Sequence, residues 1–482
     1  MKLWIKTLLM FGGILLLTAI AVGGYTMTVL NSTTTAFKMT YTNVGNKDTQ
    51  KVIEATKPLT ILLMGVDTGG AGRGDSNSWN GNSDSQILMT LNPQTHTTTM
   101  VSLERDTMTN ILDAQGKVVS KQKMNAAYPM GYNTASNDTE GLKNAVSYAM
   151  TTIGEQTGVK IDNFMTVNFD GLINMVNDVG GIDVYNDPKN IIKDASNPEG
   201  NLFISDTEPA YTAVIKPGHQ HLDGDQALVY TRDRHHRTNG DYGRAAAQRE
   251  VIAALMKKLL SPEYATQYEK ILKESSKDFR TNIPINASTI TSLLGYKSCF
   301  DKVVSIQYEG IGQMVDGGSY QFMTSNIYLA IQNAMKKSLG ESAVTELPST
   351  LITYETQFGS SSFPNYFMPS ATVTEKGKTP VIYGLDTEGN LVKINSGNSG
   401  TYVSTNGGAV QSDAPAESST EKSSSSSSSA TTDSSVSASQ NMTTTPSGLT
   451  EVSPGVYSDV NGYYVYYKNG GYYYHDGTVY SG

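Results

Sequence analysis

Cysteine is almost absent from this chain of 482 residues: Cys299 is the only one. An internal disulfide is therefore excluded, as is a zinc or iron–sulfur centre built on several thiolates. A lone cysteine of this kind reads as a small buried hydrophobe. Positive charge is scarce too. The formal net charge is −9 and charged residues make up only 17% of the chain, so there is no basic stripe for a nucleic acid to follow. That argues against duplex DNA as a partner. Histidines number six, and the adjacent pair His235 and His236 cannot share the helical face that typical zinc pairs use.

One long uncharged run is present. From Thr7 to Leu30 no side chain carries charge, and Leu8, Leu9, Ile14, Leu15, Leu16 and Ile20 make the run strongly apolar, long enough to cross a bilayer as a helix. Lys2 and Lys6 precede it and the next basic residue is Lys38, so the positive-inside rule puts residues 1–6 in the cytoplasm and the remainder outside. The competing reading is a secretory signal cleaved at Ala19-Ile20-Ala21. The apolar run exceeds the roughly 7–15 residues of a signal core, which favours an uncleaved anchor at 7–30. Either way the bulk of the chain is exported. An exported chain without disulfides suits a Gram-positive-type cell surface.

Composition divides the rest of the chain. Residues 31–56 are polar and threonine-rich and read as an extracytoplasmic stalk, and residues 57–340 alternate strand-like and helix-like segments. Residues 341–411 hold short β-prone runs such as Pro380-Val381-Ile382-Tyr383 but suggest no fold. Residues 412–447 are mostly Ser, Thr and Ala, cannot build a core, and read as a disordered linker. Residues 448–482 carry nine tyrosines, with Lys468-Asn469-Gly470 between two groups of them, the pattern of an aromatic β-hairpin. Those tyrosines could stack on sugar rings, associate with one another, or pack into a hairpin without ligand.

Within 57–340, Leu59 to Val66 reads as a buried strand delivering Asp67 at its end. Gln86 to Leu91 and Thr99 to Leu103 read as two more, joined through Asn92-Pro93. Leu142, Ala145, Val146, Ala149 and Ile153 recur at helical spacing. Further helices are expected around Leu172 to Val176, stopping at Gly180-Gly181, and from Asp241 to Leu260. The class is α/β.

The chain has eight arginines, and Arg232, Arg234, Arg237, Arg244 and Arg249 fall within eighteen residues. Arginine in place of the commoner lysine suits a planar, bidentate hold on phosphate; surface pairing with Asp233, Asp241 and Glu250 is the alternative. Arg232 and Arg234 follow the strand-like Ala227 to Thr231, so an extended backbone would point both to one side. Arg244 and Gln248 are four apart near a helix start, where free N–H groups favour phosphate. Asp67 and Asp84 are the carboxylates available for magnesium beside such a phosphate, or they cap turns.

Seven segments together resemble the LytR-CpsA-Psr family of exported bacterial enzymes: Leu63 to Asp67, Asn82 to Ser85, Ser102 to Thr107, Lys123 to Tyr128, Val179 to Val184, Leu222 to Arg234, and Asp241 to Arg244 followed by Gln248. The resemblance spans Leu59 to about Gly340. It implies a central mixed β-sheet flanked by helices behind one N-terminal transmembrane helix. It also implies transfer of a glycopolymer, such as teichoic acid or capsular polysaccharide, from an undecaprenyl-pyrophosphate carrier to N-acetylmuramic acid of peptidoglycan, with Mg2+. By motif, Arg105, Arg232, Arg234 and Arg244 would bind the pyrophosphate with help from Gln248. Asp67 and Asp84 would hold magnesium or position the attacking hydroxyl, with Arg105 beside them. The chain departs from the pattern at Asn82 and Ala247, where the family often has arginine; Arg73 is a candidate substitute for the first, and Arg249 follows the second. Prenyl-pyrophosphate hydrolysis is one rival activity. A membrane-anchored regulator is another, without direct DNA binding because no helix-turn-helix pattern is present.

Overall fold

The computed structural model describes residues 41–44, 53, 55–68, 79–203, 213–265, 271, 277–284, 287–359 and 367–393, and strands between 401 and 474. The expected span at 7–30, most of the stalk, Arg73 and nearly all of the 412–447 linker lie outside the described residues. Among the described residues no helix is long and apolar enough to cross a membrane.

In chain order the elements of the first part are β1 (Leu59–Val66), β2 (Ser83–Asn92), β3 (Thr97–Leu103), β4 (Met108–Leu112), β5 (Val118–Lys123), α1 (Asp138–Thr157), β6 (Asn163–Val167), α2 (Phe169–Asp178), β7 (Ile182–Asn186), β8 (Gly218–Leu222), α3 (Gly224–Arg232) and α4 (Gly240–Leu259). Then come β9 (Phe279–Thr281), β10 (Lys302–Gln307), β11 (Ile311–Val315), β12 (Gly318–Phe322), α5 (Ser325–Ser338), β13 (Phe367–Met368), β14 (Ser370–Glu375), β15 (Val381–Leu385) and β16 (Leu391–Lys393). Nine strands form one mixed sheet in the order β16-β15-β14-β10-β3-β2-β1-β6-β9. β1 runs parallel to β6 and β3 parallel to β10, whereas β2, β9 and β14 run against their neighbours.

Strand alternation explains the two cores. Leu62, Met64 and Val66 of β1, with Leu88, Val101 and Leu103, face α1 and α5. Ile61, Leu63, Ile87, Met89 and Met100 face the other way, against Ile252, Ala253 and Met256 of α4. A third core joins α2, α3 and the antiparallel β7–β8 pair to Ala247, Val251 and Leu255 of α4. Helix α4 is thus apolar on two sides because it is packed on two sides.

The run Ala227 to Thr231, expected to be extended, is helical. Asp223 and Gln226 form a capping box, the Asp223 carboxylate accepting from the Gln226 N–H and the Gln226 side-chain oxygen from the Asp223 N–H. That start signal nucleates α3, and burial of Ala227 to Tyr230 on several sides gives the run its strand-like composition.

Two domain edges also fall elsewhere than composition suggests. Tyr41 and Thr42 of the stalk region attach to Thr281 at the sheet edge. Strands β14 to β16, from the unassigned 341–411 region, extend the main sheet, with Ala371, Val373 and Leu385 buried in the core beneath α5. β13 pairs with β17 (Thr401–Thr405), which pairs with β18 (Gly408–Ser412).

Cys299 is fully buried, and burial pushes its thiol up to about 11. Native protein is therefore expected to resist thiol reagents near neutral pH and to release one reactive thiol per chain on unfolding. Ellman titration across a denaturant series checks this. Labelling ahead of the loss of circular dichroism would show that the core around β3 opens locally.

Candidate functional site

The sheet topology brings the carboxyl ends of β1, β3, β6 and β10 and the amino ends of β2, β9 and β14 to one edge. In α/β sheets that edge is where ligands bind. Asp67 follows β1, Glu104 and Arg105 follow β3, and Asp84 lies near the start of β2.

Asp84 owes its position to a defect in pairing. Gly65 pairs with Ser85 but Val66 pairs with Ser83, so Asp84 is the extra residue of a β-bulge, a device that redirects a side chain. One Asp84 oxygen accepts from Asn125 Nδ2 at 2.9 Å, and the other lies 3.4 Å from the Arg105 guanidinium. Asn125 is held there because its N–H donates to the Arg105 carbonyl and that of Met124 to Thr107. Asp67 donates its N–H to the Asn82 carbonyl. Gly81 lies so close that a Cβ there would stand 2.4 Å from the Asp67 carbonyl oxygen, which requires glycine.

Helices α3 and α4 supply the opposite wall. Ser85 Oγ donates to Gln248 Oε1 at 2.9 Å, and Gln248 Nε2 donates to the Thr231 carbonyl at 3.2 Å. One glutamine thereby ties β2, the end of α3 and α4 together. Asp241, in the first turn of α4, lies 3.3 Å from Arg244 and 3.7 Å from Arg234. Burial works against the charge on Arg244; Asp241 offsets this in part, and Arg105 and Arg234 add to the lowering. Burial also opposes the charge on Arg105, but Asp84 and Asp106 outweigh it and raise that guanidinium above its ordinary value. These couplings place Arg105, Arg234 and Arg244 around one space, with their mutual repulsion favouring an anion among them. Arg232 ends α3 with its guanidinium carbon 4.7 Å from the Phe169 ring centre, so it and Arg234 have different neighbours rather than one shared extended face.

The other arginines serve elsewhere. Arg237 is buried, stacked on Tyr230 and bonded to the Tyr230 and Asp233 carbonyls. Arg249 does not replace the arginine missing at Ala247: it points into the sheet and donates to Ser102, Ser305 and Gln307. His236 bonds to Asp233 at 2.9 Å.

Among the described residues no group of three or more His, Cys, Asp or Glu converges as a metal cage. Asp67 and Asp84, at adjacent strand ends, offer oxygen donors only. That set fits a magnesium ion completed by phosphate and water oxygens rather than one held wholly by protein.

Sequence reasoning assigns no role to Glu104, although it sits inside the Ser102 to Thr107 motif. Asn125 and Ser85 likewise lie within motifs without an assigned part, whereas Asp241 pairs with Arg234 and Arg244 as the salt-bridge alternative anticipated. Burial, with Asp241 and Asp106 nearby, pushes the Glu104 carboxyl up from 4.5 to about 7. Between those values the folded state keeps a proton that the unfolded state has released, so stability falls as pH rises from about 4.5 to about 7. Glu104→Gln is expected to remove that slope and raise stability above pH 7 by roughly 3 kcal/mol at most. Thermal melts of both proteins between about pH 5 and 8 check this, and parallel curves would sink the attribution.

The LytR_cpsA_psr family model matches residues 26–337. Biofilm regulatory protein A of Streptococcus mutans is 38% identical over 366 residues, covering 74% of this chain and 83% of that protein. The polyisoprenyl-teichoic acid–peptidoglycan teichoic acid transferase TagU of Enterococcus faecalis is 34% identical over 328 residues, covering 68% of this chain and 95% of that protein. The crystal structure of a Streptococcus agalactiae protein, 40% identical, superposes with a TM-score of 0.54 over 64% of this chain and 96% of that one.

Proposed function

The chain belongs to the LytR-CpsA-Psr family, and we propose that it transfers a glycopolymer of teichoic acid or capsular type from a polyprenyl-pyrophosphate carrier to peptidoglycan. The observation that carries this reading is the convergence of Arg105, Arg234 and Arg244 at the carboxyl edge of the sheet. Relatives named as teichoic acid transferases support it.

The chemistry follows from charge. The C6 hydroxyl of N-acetylmuramic acid attacks the sugar-proximal phosphorus, a new P–O bond forms to the acceptor, and the bond to the prenyl phosphate breaks. Negative charge must be matched on both phosphates throughout. Arg105 and Arg244, with Arg232 and Arg234, hold the two phosphates, and Gln248 keeps the α3 and α4 segments in register around them. Asp67 and Asp84 would hold magnesium, which supplies additional charge neutralisation when bound. Glu104, whose carboxyl changes protonation near neutrality, is the acceptor for the hydroxyl proton in this reading. The prenyl chain of the donor requires an apolar lining. Residues 7–30 would anchor the enzyme in the membrane that carries its donor, with residues 57 onward outside the cell.

The test uses the full chain in detergent with a short prenyl-pyrophosphoryl glycan, a peptidoglycan oligomer and magnesium. Wild type is expected to form a sugar–phosphate linkage to the oligomer. Arg244→Ala and Arg105→Ala are expected to lower that rate by at least about a hundredfold with unchanged circular dichroism. Prenyl phosphate released without ligation would favour a hydrolase, and undiminished transfer in both variants would place the pyrophosphate elsewhere.

A further inference from the structure

From Arg105 a run of polar contacts leads away from the other arginines toward β5 and β12. The Arg105 Nε lies 3.4 Å from one Asp106 oxygen, and the other accepts from Lys123 Nζ at 2.7 Å. The Lys123 ammonium stands over the Tyr320 ring, 5.5 Å from its centre. Lys123 ends β5 and Tyr320 lies within β12. Backbone contacts fix β12 against the turn after β3: the Gln321 N–H donates to the Asp106 carbonyl at 2.9 Å, and Thr107 bridges to Gln321. The Tyr320 ring lies close along its own strand, since a Cβ on Gly318 would stand 2.7 Å from it.

These groups are held in place yet reachable. The side chains of Arg105, Asp106 and Lys123 are 28%, 24% and 33% exposed, and Tyr320 is half-buried, so one bound molecule can meet all four. Three of them are charged, and an apolar chain laid on them would strip their water without replacing its hydrogen bonds. A glycan carrying hydroxyl, amide and carboxylate groups answers the same donors and acceptors. Tyrosine adds a ring and a hydroxyl, which suit a partner that is apolar on one side and polar on the other.

In-line transfer decides which substrate lies here. The attacking and leaving oxygens stand on opposite sides of the phosphorus, so the acceptor and the prenyl phosphate need opposite flanks of the site. The β9 flank is the one tied to the expected anchor. Tyr41 pairs with Thr281 of β9, eleven residues beyond Leu30, a reach of about 40 Å at most. The pairing is parallel, and β9 runs inward from the edge that carries the site, so Tyr41 to Val44 lead away from that edge. Arg232 stacks on Phe169, which follows β6, the neighbour of β9. By contrast β3, which delivers Arg105 and Asp106, lies four strands from β9, about 20 Å away. The prenyl end therefore takes the Arg232 flank, which leaves the flank from Arg105 to Tyr320 for the acceptor.

We propose that Lys123 and Tyr320 form the acceptor subsite, holding the amino-sugar backbone of peptidoglycan beside the phosphorus while Asp106 keeps the Lys123 ammonium in place. The inference rests on the transfer reading and adds to it the residues that bind the second substrate.

Two measurements on the full chain in detergent test it: calorimetric titration with a peptidoglycan oligomer in the absence of donor, and transfer kinetics with donor and oligomer varied in turn. Tyr320→Leu keeps an apolar side chain against Met108, Phe322 and Tyr354 but removes the ring, Tyr320→Phe keeps the ring, and Arg232→Ala alters the opposite flank. With circular dichroism unchanged, wild type and Tyr320→Phe are expected to bind the oligomer comparably and Tyr320→Leu at least about tenfold more weakly. The KM of Tyr320→Leu for oligomer is expected to rise by the same factor and its KM for donor to stay constant. Lys123→Gln is expected to follow Tyr320→Leu, and Arg232→Ala to raise the KM for donor alone. No oligomer binding by wild type, equal binding by Tyr320→Leu, or a matching rise in its KM for donor would each overturn the proposal. Oligomer binding that needs Tyr320, without any ligation by wild type, would instead sink the transfer reading and keep the glycan subsite.

Discussion

The guanidinium of Arg249, only 3% exposed, is bonded to Ser102 of β3 and to Ser305 and Gln307 of β10, and the position of the site depends on that contact. A buried cation must have its donors met in a fixed geometry, so α4 cannot slide along or roll across the sheet without leaving them unmet. Arg244 and Gln248 are carried on the same helix, and Gln248 extends the constraint to Ser85 and Thr231. Burial drives the Arg249 guanidinium down to about 9, because removal from water disfavours its charged form. Contacts of this kind specify position more than they add stability.

Around that fixed frame the site gathers like charges, which only carboxylates and burial geometry can hold together. Asp241 stands between Arg234 and Arg244, and Asp84 beside Arg105. Each carboxylate is itself placed by local structure, Asp241 by the first turn of α4 and Asp84 by a β-bulge. The same crowding explains Glu104, a partly buried carboxyl close to other carboxyls, whose proton is held to about 7. The arrangement is a preorganised one: the ligand finds charges already in place.

The two ends of the chain follow different physical rules. The nine-stranded sheet is covered on both faces by helices and buries aliphatic side chains. The strands Thr450–Ser453, Val456–Ser458, Tyr464–Lys468 and Gly471–Tyr474 form a separate antiparallel sheet in a segment rich in tyrosine. Burial drives the first; in the second, Lys468 pairs with Gly471 across a two-residue connection, a tight hairpin.

Local chemistry was legible in the sequence. The strands ending at Asp67 and Leu103, the helices beginning near Asp138, Phe169 and Gly240, and the hairpin around Asn469-Gly470 follow from periodicity and turn residues, which act over a few positions. The motifs carrying Asp67, Asp84, Arg105, Arg244 and Gln248 were equally visible, as was the family they resemble. Tertiary structure alone decided that Ala227 to Tyr230 is helical, that β14 to β16 complete the sheet, and that Arg249 faces the core while Arg244 faces the site. It also decided that Glu104 is partly buried beside Asp241 and Asp106. Each of these depends on a partner more than fifty residues away or on burial against several elements at once, and no local pattern encodes such a partner.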